Sequence, residues 1–435
     1  MKKYLIALIC LLGLVLLGFV LKKMVSDELL KQAAVAEEKG DYGTAMACWN
    51  TALKLHPQYD AYNKRGLAEA AKNNFDGAIT DYTKAIAFDP KCVDAYYNRA
   101  RAKFAKKDLE GALADYNKVI ELNPKYAYAY GNRGRVKAAK MDFNGALADF
   151  DASIKLDPKN SRDYYSRGRL KASIHDLNGA IADFDRAIDL DRNNAFAYTN
   201  RGDAKFAKGD AEGAIADYTI ATKLNPRYAY AYNNRGIAEA AKKDLDEAIA
   251  DFDVAITLDP KTVLAYNNRG YAKKLKGDLD GAIADFDTAI ALDPKFFKSY
   301  INRGQAKEEK GDLKGAVEDF KHITGFNPKY VYAYYQRGLI KASKKDYDGA
   351  IVDFDKVLEI NPANTFTYIW RGDAKFAKKQ IDAAIADYNM AIELDPKNAT
   401  AYKSRSRARK AKGDLKGAAE DMKRAEEFKT KVIPA

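Results

Sequence analysis

Ala95-Tyr96-Tyr97-Asn98-Arg99 runs on to Lys107, and after a break Asp108-Leu109-Glu110-Gly111-Ala112-Leu113-Ala114-Asp115-Tyr116 runs on to Leu122-Asn123-Pro124. Apolar residues recur at three- and four-residue intervals on both sides of the break, the period of two amphipathic helices. At equivalent breaks an Asp such as Asp41, Asp108, Asp210, Asp278, Asp312 or Asp414 is placed to cap the second helix, and Gly40, Gly209, Gly277, Gly311 and Gly413 to close the first. Pro after Asp or Asn ends the second helix, because it disfavours the α conformation in the residue before it. Ten of the eleven prolines, from Pro57 to Pro396, fall on a 34-residue spacing after a first step of 33, with Arg192 at the one missing beat. A fixed period of this length predicts an all-α stacked array, in which no unit buries its apolar face without its neighbours. We read twelve helix-turn-helix units from about Ser26 to Thr430, followed by a short tail, 431–435.

With the Pro counted as position 32 of each unit, Gly stands at position 8 (Gly66, Gly134, Gly168, Gly202, Gly236, Gly270, Gly304, Gly338, Gly372) and Ala at position 20 (Ala78, Ala112, Ala146, Ala180). Tyr or Phe stands at position 24 (Tyr82, Tyr116, Phe150, Phe184, Phe252) and Ala at position 27 (Ala85, Ala187, Ala255, Ala289). In these positions the chain resembles the tetratricopeptide repeat family over most of its length. That resemblance implies a right-handed superhelical solenoid of antiparallel helix pairs and a scaffold for protein partners. Small residues at positions 8, 20 and 27 let paired helices approach, and the aromatic fills the space between them. Position 11 departs from the family, with Lys103, Lys137, Lys171, Lys205, Lys273, Lys307, Lys341 and Lys375 where Tyr is common. We expect these stems to cover apolar surface while their ammonium groups reach water.

The composition, 47% apolar and 31% charged with three Cys in 435 residues, provides no disulfide framework or metal cluster. Cys10, Cys48 and Cys92 are scattered, and His56, His175 and His322 occupy unrelated positions. No His stands at ligand or nucleophile spacing from a Cys or carboxylate, so the expectation is a non-enzyme without cofactor or metal. The net charge of +12 comes from 73 basic against 61 acidic residues. Most positive charges therefore have acidic neighbours, which argues against nucleic acid. A polyanion or nucleic-acid binder and a self-assembling structural protein are the alternative functions.

Met1-Lys2-Lys3 precedes an uncharged stretch from Tyr4 to Leu21, closed by Lys22-Lys23. Its length exceeds a signal-peptide core and approaches the roughly 20 residues of a membrane span. The reading is an uncleaved amino-terminal anchor over 1–25, in a bacterial inner membrane, with the repeats at 26–430 outside the cytoplasm.

Arg at position 7 and Asp at position 23 occur without exception from the second unit to the twelfth, as in Arg201 and Asp217. Equal numbers in strict register point to structural pairs joining the two helices of a unit. The resemblance places the partner groove on the first helix at positions 2, 5, 6, 9, 12 and 13. Position 6 carries Asn98, Asn132, Asn200, Asn234, Asn268 and Asn302. This row resembles the asparagine ladder of O-linked N-acetylglucosamine transferases, which implies exposed amides holding an extended peptide main chain. Around it stand Phe104, Phe196, Phe206, Tyr230, Trp370 and Phe376, together with Arg101, Arg135 and Arg169, which favour acidic partners. A second order of repetition, 170 residues apart, maps Asn194 to Lys208 onto Asn364 to Lys378 and indicates duplication of a five-unit block.

Overall fold

The computed structural model describes residues 2–429, with side chains from 11 to 428. The described residues form helices joined by short turns, without a strand, and divide into two compact units at Asp210 and Ala211. The first unit begins with α1 (Lys2–Glu38) packed on α2 (Tyr42–Leu55). Four further pairs follow, the last being Ser161–Ser173 with Leu177–Leu190, on which Ala195–Ala207 packs. In the second unit Ala211–Leu224 packs on Ala229–Ala241. Six pairs follow there, from Ala229–Ala241 with Leu245–Leu258 to Ala399–Lys412 with Leu415–Lys429.

Within a pair the position-24 aromatic lies against the position-8 glycine. A Cβ on Gly270 would stand 2.8 Å from Phe286 Cε1, and one on Gly66 would stand 2.6 Å from Tyr82 Cε1. No larger residue fits there without moving the ring. At the break the Asp caps are in place: Asp108, Asp278 and Asp346 each accept from the backbone amide three residues on, at 2.9 to 3.0 Å. The residue before the cap is left-handed throughout. Gly fills this place at 40, 209, 277, 311 and 413, and Asn73, Lys107, Met141, His175, Lys243, Lys345 and Lys379 adopt the same conformation elsewhere. His175 is thus a turn residue.

Arg at position 7 grips Asp at position 23 with two parallel bonds, as from Arg99 to Asp115 at 2.8 and 2.7 Å and from Arg337 to Asp353 at 2.9 and 2.5 Å. The aspartates are buried, and each guanidinium lies over the position-4 tyrosine ring, 5.3 Å from its centroid for Arg337 and Tyr334. Arg201 lies in the first unit, where it binds Asp185 at 2.6 Å, and Asp217 lies in the second. The position-11 lysines do not reach out to water as expected. Lys103, Lys137, Lys171, Lys273, Lys307, Lys341 and Lys375 turn in to the same aspartate at 2.8 to 2.9 Å. The buried carboxylate recruits a second cation because one guanidinium leaves a lone pair on Oδ2 unused.

Glu239 breaks this column. It stands where a lysine would complete Asp251, and its Oε2 is buried without a partner. Burial and the charge of Asp251 push its carboxyl up to about 7, with Arg235 opposing and Glu247 and Asp244 adding to the rise. Arg235 gives little relief, because it is committed to Asp251 at 2.6 and 2.7 Å. A carboxyl raised in the folded state favours folding below its unfolded value, and that contribution is lost as pH rises from about 4.5 to 7. Glu239→Gln is therefore expected to stabilise the protein at pH 8 by about 2 kcal/mol and to leave it little changed at pH 4. Chemical denaturation at the two pH values checks this, and equal effects at both would refute it.

The amino-terminal anchor is not supported. Its stretch Tyr4 to Leu21 lies partly outside the residues whose side chains are described, and among the described residues no helix is long and apolar enough to cross a membrane. Instead the helix continues unbroken through Lys22 and Lys23 to Glu38 and becomes the first member of a pair. Ala33 and Ala36 bury themselves against Trp49, and Ser26 Oγ donates to the Ala52 carbonyl at 3.1 Å. The tail, 431–435, lies outside the described residues.

Candidate functional site

Three pockets lie between neighbouring first helices and draw on equivalent positions of their repeats. One, of about 320 Å³, is lined by Leu67, Ala70, Ala71, Phe75 and Tyr82 of one repeat and by Asn98, Arg101, Ala102 and Ala105 of the next. A second, of about 460 Å³, has Arg135, Ala138, Ala139, Phe143 and Phe150 facing Ser166, Arg169, Leu170 and Ser173, with Phe104 at its rim. A third, in the other unit, measures about 650 Å³, with Leu339, Ala342, Ser343 and Tyr347 facing Trp370, Asp373, Phe376 and Arg407. Small residues at positions 12 and 13 open each pocket, and an aromatic at position 17 walls it. Two of these pockets lie in the first compact unit and one in the second, each built from equivalent positions of adjacent repeats.

The asparagine row lies along the same face, but its amides are engaged within the protein. Asn98 donates to Asn63 at 3.3 Å, Asn132 to the Tyr97 hydroxyl at 2.8 Å and Asn200 to the Tyr165 hydroxyl at 3.3 Å. Asn268 donates to Asn233 at 3.1 Å and Asn302 to Asn267 at 3.0 Å, while Asn234 accepts from Asn233 at 3.0 Å. Position 6 of one repeat is thus tied to position 5 of the repeat before it. Asn132 and Asn302 are buried, which corrects the expectation of amides open in the free protein. Trp370 takes the same role, with its indole hydrogen-bonding the Tyr335 side chain.

The aromatic candidates divide. Phe196, Tyr230 and Trp370 are 50%, 49% and 42% exposed, whereas Phe104, Phe206 and Phe376 are partly buried. Arg407 lies 4.7 Å over the Phe376 ring. Arg101 and Arg169 are exposed and lie 5.8 Å over the rings of Tyr97 and Tyr165. Arg135 is held differently, at 3.0 Å from Asp163. Burial and the charge of Arg162 draw its pKa below the ordinary value, against the pull of Asp163.

Asp163 escaped the reading of the sequence. It is buried at a position that is Ala in most repeats, and it also accepts from Ser153 at 2.6 Å and Asn160 at 2.7 Å. Gly131 makes room for it, since a Cβ there would meet Asp163 Oδ2 at 2.4 Å. The signal was present as two breaks of column, a charge at position 3 and a glycine at position 5. Leu67, Tyr82 and Asp373, which also shape the pockets, carried no such mark.

Family profiles described as tetratricopeptide repeats match residues 66–107, 93–126, 199–262, 263–296, 297–330, 331–364 and 372–405, together more than half of the chain. Comparison with curated proteins finds no match. Among solved structures, the chain is similar to the MamA protein, with 30% identity and a TM-score of 0.37 over 39% of this chain and 92% of that one. It is similar to YrrB, described as a TPR protein with an unusual peptide-binding site, with 28% identity and a TM-score of 0.37 over 42% and 95%. A repeat protein from Parabacteroides merdae matches with 22% identity and a TM-score of 0.47 over 57% and 98%.

Proposed function

Because the chain belongs to the tetratricopeptide repeat family, we propose that it is a protein-protein interaction scaffold that receives extended peptide segments along its first-helix face. We read the array as twelve repeats over 26–430. The observation that carries the proposal is one pocket type built from equivalent positions at three places in the array, each pocket wide enough for a side chain and flanked by an aromatic or an arginine. A segment lying on the face of either unit would seat an anchoring side chain in such a pocket, with shape-matched anchors contributing most of the binding. The asparagine row supports this indirectly: it fixes neighbouring first helices in register and so sets the pocket spacing.

The test is an array of random 12-residue peptides probed with the full chain. A discrete set of captured peptides is expected, and Trp370→Ala with Phe376→Ala should weaken those seated in the third pocket at least about tenfold, without a matching loss of melting temperature. An array without selective capture would refute the reading. Growth of particle size with concentration in the absence of any partner would favour self-assembly instead, and capture that collapses steeply with salt would favour a polyanion.

A further inference from the structure

The protein contains a carboxylate site that it fills with its own side chain. Tyr388 Oη donates to Asp373 Oδ1 at 2.8 Å, and Arg407 Nη2 donates to the same oxygen at 2.6 Å. The three residues are position 24 and position 9 of one repeat and position 9 of the next. Nine repeats earlier in the chain the same frame holds Tyr82, Leu67 and Arg101. Leucine stands in place of the aspartate, and in place of its carboxylate there is the pocket of about 320 Å³ lined by Leu67, Tyr82, Asn98 and Arg101.

Neither polar group of this empty frame is satisfied from within. Among the described residues the Tyr82 hydroxyl has no hydrogen-bond partner and Arg101 has no carboxylate partner, its one contact being the Tyr97 ring. Burial pushes the Tyr82 hydroxyl up, and the charge of Arg101 pulls it back, so the two groups feel each other across the pocket. The neighbouring frame repeats only the hydroxyl: Tyr116 is fully buried and unbonded, with the charges of Arg135, Arg101 and Arg162 acting on it, but Arg135 there is already held by Asp163 at 3.0 Å. Arg162 and Arg169 likewise have no carboxylate partner among the described residues. This contrasts with the position-7 arginines of the same repeats, each locked to its aspartate. Arginines that a protein leaves without carboxylates on a pocketed face are matched by a partner that brings them.

We propose that the pocket between Tyr82 and Arg101 receives a carboxylate of an acidic peptide segment, in the arrangement that Asp373 makes from within between Tyr388 and Arg407. Further acidic residues of the segment meet Arg162 and Arg169. The proposal rests on the scaffold reading and adds the chemistry of its partner.

The experiment uses the full chain and three fluorescein-labelled probes: a 12-residue peptide alternating Glu and Gly, its Gln and Gly counterpart, and a 20-nucleotide single-stranded DNA. The Glu peptide is expected to bind at least about tenfold more tightly than the Gln peptide. Arg101→Gln should weaken the Glu peptide about tenfold and Tyr82→Phe about threefold to tenfold, both leaving the Gln peptide unchanged. Tyr82→Phe keeps the ring and Arg101→Gln shortens an exposed side chain, and melting curves report whether the fold is retained. Equal binding of the two peptides, or Glu-peptide affinity untouched by Arg101→Gln and Tyr82→Phe, overturns the carboxylate assignment while leaving the scaffold reading to the random array. DNA bound as tightly as the Glu peptide, with the same loss in Arg101→Gln, overturns it in favour of a general polyanion face.

Discussion

Asp353→Ala is expected to destabilise the protein by about 3 to 5 kcal/mol, the loss typical of breaking a buried ion pair from one side. The carboxylate is 1% exposed and holds Arg337 by two bonds and Lys341 by a third, at 2.9 Å. Removing it strands two partly buried cations, with Lys341 left only a long contact to the Gly349 carbonyl at 3.4 Å. The Arg337 guanidinium keeps its bond to Thr324 at 3.0 Å and its place over Tyr334, which offset part of the loss. Lys356 and Glu359, an exposed pair on the next turn, set the control: Lys356→Ala should leave the urea midpoint almost unmoved. Because repeats are stabilised through their neighbours, the whole melting transition should move rather than one local step. If Asp353→Ala shifts the urea midpoint no further than Lys356→Ala does, the column of Arg and Asp pairs is not what joins the two helices of a repeat.

Phe286→Ala should cost about 3 to 5 kcal/mol by a different route, the cavity left when a fully buried ring is removed. Phe286 is completely enclosed, packed with Ala282 and Ala306 and covered by Leu279 and Ile283. The ring also bears on Gly270, where no side chain can grow to refill the space without displacing backbone packing. Phe286→Leu should recover a good part of the loss by keeping most of the apolar volume. Calorimetry of the pair separates volume from aromatic contact. An Ala variant as stable as the Leu variant would mean that the helices of this repeat close over the gap, contrary to close packing at glycine.

How much of this was legible beforehand differs between backbone and side chains. Proline at a fixed beat, Asp at the cap and an apolar three-and-four rhythm are local signals, each acting within one or two turns, so helices such as Leu109–Leu122 and Leu279–Leu292 could be read directly. Gly270 beside Phe286 could also be read, because position 8 and position 24 recur together in repeat after repeat. The Lys column could not. Nothing in its spacing distinguishes a lysine that reaches water from one that turns to a buried carboxylate, and only the depth of Asp115 or Asp353 decides it. The amino-terminal apolar stretch misled for the opposite reason: its composition carried no sign that the helix would run on and pack as part of the first pair.

The family resemblance pointed to the first-helix face for a partner; the sequence by itself determined the repeat unit, the helix boundaries and the Arg and Asp pairing. These follow from periodicity, and periodicity is a property of the chain read in one dimension. The tertiary structure alone decided what the side chains on that face are free to do. Asn98, Asn132, Asn200, Asn268 and Asn302 are tied to the preceding repeat because stacking brings residues 35 apart within hydrogen-bond reach. Asp373 meets Tyr388 and Arg407 because three positions from two repeats converge on one point. The same convergence at Tyr82 and Arg101 leaves a pocket where the acid is missing, since Leu67 brings no oxygen for the hydroxyl and the guanidinium to bind.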